Sequence, residues 1–349
     1  MHRTKKQHYV PQSYLARFTE EATKDGRFHV YDFEAKKCRP GSPRKVACET
    51  DLYLWDRIDS DIGPQDIEDM FEKTERIAST QIARIELERA LPAETSEMGA
   101  LLTWIAIQHH RVPNRRLARS RYYDDTARIL LELACANEQR YESTIKRIER
   151  ESGEPMEGVT REEMLKFISE TTFGVDNATH MKDMLDGIDT LREPLYRRKW
   201  TLLIAPSGVP DFITSDNPVS LVPTQRIVEA VKGFGFGFGT PGTIVFYPLT
   251  PRLAMCGSLG PGVNGGAKVV DGKMLAEVNT ATAVSAARCV FSRRRRIYFA
   301  RNKLTELCSA NGRLDTLLAE RQDARPRERE SAAESIAQPE TQLAHVAHQ

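Results

Sequence analysis

The order of hydrophobic patterns along the 349-residue chain constrains its fold more than any other feature. Strand-like patterns occupy both ends, whereas the region from about 64 to 197 carries helical periodicity. Because the strands of a sheet must lie side by side, the two end regions must meet around the helical block. The sequence therefore predicts an α+β fold with a mixed or antiparallel sheet built from N- and C-terminal segments, in one intertwined domain over residues 1–315.

The strand predictions rest on short extended runs next to turn residues. RFHVYDFEAKKCRPG (27–41) reads as a strand ending in a turn, and a second extended piece lies around TDLYLWD (50–56). Toward the C-terminus, WTLLIAPSGVPDFITSD (200–216) and TIVFYPLTPRLAMCG (243–257) each read as a hairpin. A helix over about 275–290 and a closing strand, RIYFA, complete the prediction.

The central block begins at Pro64, where apolar residues recur at helical spacing through Ile85. The next helix starts at Ser96 and ends near Val112, because the residue before a proline disfavours the helical conformation. Further helical stretches are predicted over about 116–146, 160–172 and 177–197. Beyond about 318 the chain is charged and poor in large apolar residues, so residues 316–349 are predicted to be a disordered tail.

Composition excludes several classes of protein. Hydrophobic residues make up 40% and charged residues 28%, no 18-residue apolar run is present, and the start of the chain lacks a signal-peptide pattern, so we expect a cytoplasmic protein. The six cysteines form no CxxC pair, which argues against a zinc knuckle or a secreted disulfide scaffold. A formal net charge of +1 does not favour a large nucleic-acid footprint, although a local RNA or DNA contact remains open.

Known catalytic and nucleotide-binding signatures are missing from the sequence. It contains neither a GxxxxGK[ST] loop nor a GxGxxG fingerprint after a strand, and it has no GxSxG elbow. P-loop NTPases, ordinary dehydrogenases and common serine hydrolases are therefore not the leading candidates. Any catalytic or binding site must therefore be assembled from residues that are dispersed along the chain.

Polar side chains accompany three of the predicted elements. The opening segment, QHYVPQSYLARF (7–18), carries His8 and Gln12 beside apolar residues of a short helix. Glu75 lies seven residues after Glu68, on one flank of the first long helix, and Gln108 and Arg111 share a flank of the next. Each has a structural alternative, since a carboxylate at a core boundary needs a partner and Arg111 could simply pair with Glu75.

FITSDNPVS (212–220) is the second notable polar segment. Asp216 ends a predicted strand and could serve as a metal ligand or general base, but Asp and Asn before proline more often form an Asx-type turn without chemistry. GFGFGFG (233–239) could be a lid or a base-stacking platform, although an irregular loop with its Phe side chains docked on the core is favoured. The run Arg293–Arg296 could contact phosphate or form a solvated turn.

Taken together, these segments resemble the domain of unknown function 4238 family. The resemblance rests on HYVPQSYLARF, ETDLYLW followed by a helix with spaced glutamates, IAIQHHRVPNRR, FITSDNPV and FYPLTPRLAM, and it covers about residues 5–300. What it implies about fold or activity is limited, because the family is named for its lack of an assigned function. It singles out His8, Tyr9, Pro11, Gln12, Glu75, Gln108, Arg111, Asp216, Asn217 and Pro218.

If these motifs meet in space, they form one polar site where the opening turn meets the C-terminal sheet. The leading hypothesis is a metal-assisted hydrolase, in particular a phosphodiesterase or nuclease. Its catalytic residues would be His8, Gln12, Arg111 and Asp216; its substrate-binding residues Gln108, Asn217 and Arg294; and its ligands for Mg²⁺ or Mn²⁺ His8, Glu75 and Asp216.

The alternative is a non-catalytic binding or regulatory module. In that case the same polar residues interlock the sheet and the helical block, or line a ligand pocket. An open cleft shared by these side chains favours the enzyme, whereas private hydrogen bonds to the backbone favour the interlock.

Overall fold

A computed structural model describes residues 6–50, 64–155, 158–224, 235–260, 265–301 and 304–308. The extended piece predicted around 50–56 falls outside these residues except for Thr50, and so does the tail predicted to be disordered from 316.

Helices dominate the middle of the described chain and confirm the predicted helical block. They are α1 Gln12–Ala16, α2 Pro64–Glu88, α3 Thr95–Arg111, α4 Pro113–Ala134, α5 Glu138–Ser152, α6 Arg161–Glu170, α7 Asn177–Tyr196 and α8 Gly272–Ser285. The stretch predicted over 116–146 is two helices, because Asn137 caps the start of α5 by accepting from the Arg140 N–H at 2.9 Å. None of the described helices has both the length and the apolar character that a membrane span requires.

Strands flank this block on both sides in the sequence. They are β1 Lys6–His8, β2 Phe28–Asp32, β3 Lys37–Gly41, β4 Cys48–Thr50, β5 Lys199–Ile204, β6 Thr214–Ser215, β7 Ser220–Pro223, β8 Thr243–Thr250, β9 Leu253–Ser258, β10 Gly266–Val269, β11 Cys289–Ser292, β12 Ile297–Arg301 and β13 Leu304–Cys308.

One sheet joins the two ends of the chain. Its strand order is β3-β2-β11-β6, and every neighbouring pair is antiparallel, so N-terminal β2 pairs with C-terminal β11. A second, mixed sheet has the order β10-β5-β9-β8-β7, in which β10 and β5 are parallel. The predicted α+β fold, with its strands drawn from both chain ends, is therefore confirmed.

The two predicted C-terminal hairpins have different outcomes. Residues 243–257 do form one, as β8 pairs with β9. The hairpin predicted over 200–216 is wrong, because β5 pairs with β9 and β10 whereas β6 pairs with β11. The backbone N–H groups of Phe212 and Ile213 explain the difference, since they donate to the Pro251 carbonyl at 2.9 Å and to Asn279 Oδ1 at 3.1 Å.

Buried polar contacts fix the opening helix and α3 against the same strand, β8. The Tyr14 hydroxyl donates to the Pro248 carbonyl at 2.7 Å, and Trp104 Nε1 donates to the Tyr247 hydroxyl at 2.9 Å. The Tyr14 and Tyr247 rings stack with their centroids 5.5 Å apart. The start of the chain and the second long helix therefore approach each other over a shared part of the core.

Candidate functional site

An open cleft of about 390 Å³ lies between the opening segment and α2. Its size falls within the range of small-molecule sites. Four of the residues predicted to be catalytic or metal-binding line it together, namely His8, Gln12, Glu75 and Arg111. The other lining residues are Lys6, Gln7, Pro11, Lys24, Glu68, Phe71 and Glu72.

Local structure in the opening segment brings His8 and Gln12 together. β1 ends at His8, which is opposite Cys48 in β4, and Pro11 holds the extended conformation that precedes α1. Gln12 begins that helix, and its Nε2 lies 3.3 Å from His8 Nδ1. The turn at Pro11 therefore places both side chains in the wall of the cleft.

The His8 imidazole is positioned by its neighbours and is mostly neutral at pH 7. Burial lowers its pKa from 6.5, the Pro43 and Arg44 carbonyls oppose that shift, and the Arg111 and Lys6 charges add to it. Nε2 is a buried atom, and Nδ1 faces Gln12. Neither ring nitrogen therefore presents itself to a molecule in the cleft, which suits a positioning residue better than a metal ligand or base.

α2 supplies a row of three glutamates, at positions 68, 72 and 75, whose spacing places them on one helical face. The opening segment holds two of them: Gln7 donates to Glu68 and Ser13 donates to Glu75. Glu72 is exposed. A carboxylate held by a donor has lost side-chain freedom before any ligand arrives, so Glu68 and Glu75 are preorganised.

Arg111, the last residue of α3, also lines the cleft. Its Nη2 donates to the His8 main-chain carbonyl at 2.8 Å, and its guanidinium carbon lies 4.5 Å from the centre of the Phe71 ring. Stacking on an aromatic ring and bonding to a carbonyl both orient the guanidinium plane. Only 8% of the residue is exposed, so the charge stands in a sheltered part of the cleft.

Charges of both signs meet in the cleft in equal numbers. Lys6, Lys24 and Arg111 are cationic, whereas Glu68, Glu72 and Glu75 are carboxylates. A bare polyanion would be attracted by the first set and repelled by the second. A phosphate accompanied by a divalent cation would satisfy both.

Asp216 lies outside this cleft and is 2% exposed. Its Oδ1 accepts from the Ala287 N–H, and its Oδ2 accepts from the N–H groups of Arg288 and Cys289, each at 2.7 Å. Burial raises the pKa of the Tyr9 hydroxyl, and the negative charge of the Asp216 carboxylate adds to the shift. Asp216 joins β6 to the start of β11, which is a structural task.

The remaining predicted substrate-binding residues also lie away from the cleft. Gln108 is fully buried, and neither of its amide atoms has a hydrogen-bond partner among the described residues. Asn217 lines a separate cavity near α4. Arg294 pairs with buried Asp211 at 3.2 Å, as does Arg293 at 3.0 Å, so this half of the basic run is tied to an internal carboxylate.

The glycine–phenylalanine repeat is described from Gly235 onward. Phe238 contacts the His109 ring edge-on, with centroids 4.7 Å apart, and packs against the main core. The prediction that the Phe side chains dock on the core is confirmed for Phe238. Phe236 is 40% exposed and lines the cavity that Asn217 also lines.

The predicted metal ligands His8, Glu75 and Asp216 do not gather around one point. Within the described part of the chain, no group of three or more His, Cys, Asp or Glu side chains is placed to hold a metal ion. Mg²⁺ commonly needs only one or two carboxylates, because waters and substrate phosphates complete its shell. Glu72 and Glu75 fit that second arrangement as hard oxygen donors.

Several lining residues were missed in the sequence. Glu72 could have been found, because it falls on the face shared by Glu68 and Glu75. Lys6 and Lys24 carry no such signal, since they lie on the opening strand and in a loop whose positions depend on tertiary contacts.

Comparison with known proteins identifies the family. A family model described as "Protein of unknown function (DUF4238)" matches residues 6–296. The search of curated proteins finds no match, and neither does the search of solved structures. The matched region contains every residue that lines the cleft, from Lys6 to Arg111, together with Asp216 and Asn217. The chain therefore belongs to the DUF4238 family, and the cleft lies within the part that defines it.

Proposed function

We propose that the cleft hydrolyses a phosphodiester with a divalent cation that binds together with the substrate. The observation that carries this proposal is the balanced lining of three cations and three carboxylates in one open cleft of about 390 Å³. A phosphate and a divalent cation would each find groups of opposite charge there, so binding one favours binding the other.

The chain's own residues have distinct tasks in this proposal. Arg111 offers its guanidinium to the phosphate oxygens, and its bonds to His8 and Phe71 hold it in place. Gln12 donates an amide N–H to the same group, oriented by His8. Glu72 and Glu75 would hold Mg²⁺ or Mn²⁺, which supplies a water of lowered pKa and neutralises phosphate charge when bound. Lys6 and Lys24 attract the substrate at the rim.

The second candidate is a module that binds a ligand without turnover. The bonds from Gln7 to Glu68, from Ser13 to Glu75 and from Arg111 to the His8 carbonyl favour it, since each ties the opening segment to a helix. The same contacts would be needed if these residues only interlocked the opening segment with the helical block.

Cleavage of labelled single- and double-stranded RNA and DNA distinguishes the two. The reactions contain Mg²⁺, Mn²⁺ or EDTA, with the parent protein, Glu72→Gln and Glu88→Gln. Glu72 is exposed, so its variant keeps the fold, and Glu88 is a carboxylate of the same helix outside the cleft. We expect metal-dependent cleavage that Glu72→Gln slows by at least about tenfold and Glu88→Gln leaves unchanged. If no substrate is cut, or if Glu72→Gln cuts at the parent rate, the proposed hydrolysis is wrong. The binding module without turnover is then the function that the cleft supports.

A further inference from the structure

A second cavity of about 300 Å³ opens at the start of α4 and shares no lining residue with the cleft. Polar residues from three separate segments meet there: Asn114 and Arg115 from α4, Asn217 from the loop after β6, and Ser285 from the end of α8. The apolar side of the cavity comes from Val219, Leu221 and Phe236. None of these contacts belongs to the proposed hydrolysis.

Arg115 brings a positive charge that the described residues do not neutralise. Its contact within hydrogen-bonding reach is His109 Nδ1 at 3.5 Å, and no Asp or Glu of the described chain forms an ion pair with it. Burial lowers the pKa of Arg115 to about 10, and the neighbouring Arg119 adds to this, so the group is still charged at pH 7. A sheltered charge without a counter-ion costs free energy, which an anion would recover.

The helix itself adds to this positive field. α4 begins at Pro113 after Val112, which offers no side-chain cap, and its first turn contains no acidic residue. The N-terminal end of a helix carries partial positive charge from its unpaired N–H groups. The N-terminal end of the 22-residue α4 and the Arg115 charge therefore both attract an anion.

Asn217 supplies an independent observation that points to a ligand. It is only 7% exposed, and its Nδ2 donates to the Ser285 carbonyl at 2.7 Å. Its Oδ1 is buried and accepts no hydrogen bond from any described residue. Leaving a buried acceptor unpaired costs free energy, and an O–H or N–H donor in the cavity would recover it once the Asn217 side chain turns this oxygen toward the cavity.

We propose that this cavity binds a small organic anion. Its carboxylate or phosphate would lie against Arg115 and the start of α4, and an adjacent hydroxyl or N–H group would donate to Asn217 Oδ1. Its apolar body would pack against Val219, Leu221 and Phe236.

Calorimetric titration of the full chain tests this site with three probes of similar shape, each with a hydroxyl beside the phenyl ring: α-hydroxybenzylphosphonate, mandelate and the neutral 1-phenylethane-1,2-diol. We expect saturable one-to-one binding of at least one anion and none of 1-phenylethane-1,2-diol, and the tighter anion identifies the charged group. Arg115→Gln should weaken that binding by at least about tenfold. Arg121→Gln, an exposed arginine on the same helix, should leave it unchanged.

Asn114→Asp tests the same site without endangering the fold. A carboxylate in the first turn of a helix is stabilising, so this variant should melt at or above the parent temperature. It also places a negative charge beside Arg115 and should weaken anion binding by at least about tenfold. The proposal is overturned if neither anion binds the parent, or if Asn114→Asp binds the anion as tightly as the parent does.

Discussion

Arg111 Nη2 donates to the main-chain carbonyl of His8 at 2.8 Å, across 103 positions of sequence. This bond joins the C-terminal end of α3 to the end of β1 and leaves the guanidinium over Phe71 of α2. Three separate elements are thereby fixed around one cleft. The relationship also explains why a charged residue can stand almost fully buried next to the opening segment.

Removing Arg111 should therefore destabilise the fold as well as the cleft. We expect Arg111→Ala to lower the free energy of unfolding by about 2–4 kcal/mol, because the His8 carbonyl loses a charged donor and Phe71 loses its cation contact. Urea denaturation followed by circular dichroism measures this change. Arg121→Ala, at an exposed position of α4, serves as the control and should stay within about 0.5 kcal/mol of the parent.

Asp216→Asn isolates the structural task of that carboxylate. One oxygen becomes an NH₂ group facing backbone N–H donors, so we expect a loss of about 2–4 kcal/mol in the free energy of unfolding. Amide hydrogen exchange should show the loss at residues 287–289. An unchanged denaturation midpoint, with exchange at these three amides as in the parent, would contradict the anchoring role.

Gln108→Met tests why a fully buried amide is present in α3. Methionine has a similar volume and removes two polar atoms that have no partner among the described residues, so we expect the free energy of unfolding to rise by about 1 kcal/mol. Thermal and urea melts measure it. A clear loss of stability would mean that the amide is bonded in the folded protein.

Acid should destabilise the protein through His110. Burial, together with the Arg119 and Arg115 charges, lowers its folded pKa from 6.5 to about 3, against the opposing Gly187 carbonyl. The unfolded chain thus binds this proton more readily, so the stabilisation is complete above pH 6.5 and is lost as the pH falls toward 3. The expected slope is at most about 1.4 kcal/mol per pH unit.

Denaturation of the parent and of His110→Gln at pH 7, 6 and 5 measures that slope. The variant should lose less stability on acidification than the parent. Equal losses in the two proteins would assign the acid sensitivity to other groups, such as buried His109, whose pKa is also lowered by burial.

Local periodicity made most of the fold predictable. The helical block follows from apolar spacing within single segments, so α2, α3 and α7 match their predicted ranges closely. Strand pairing depends on contacts between distant segments, which no local pattern contains. The run ending at Asp216 looked like the second arm of a hairpin, yet Phe212 and Ile213 donate to other parts of the chain.

The candidate site was predictable in part for the same reason. His8, Gln12, Glu75 and Arg111 stood out as polar residues beside apolar stripes, and they share one cleft. Asp216 stood out equally, but its carboxylate is taken by three backbone N–H groups whose position depends on β11. A polar residue at the end of a helix or strand is therefore expected to have a binding partner. The sequence does not say whether that partner is a ligand or the protein's own backbone.

The central claim is that the cleft takes a phosphodiester and a divalent cation together. Electron paramagnetic resonance of Mn²⁺ tests it most directly, with the cation titrated into the parent protein with and without a phosphorothioate-linked dinucleotide that resists hydrolysis. We expect the dinucleotide to tighten Mn²⁺ binding at least about tenfold, and Glu72→Gln to abolish this gain. Mn²⁺ binding that is equal with and without the dinucleotide would contradict it.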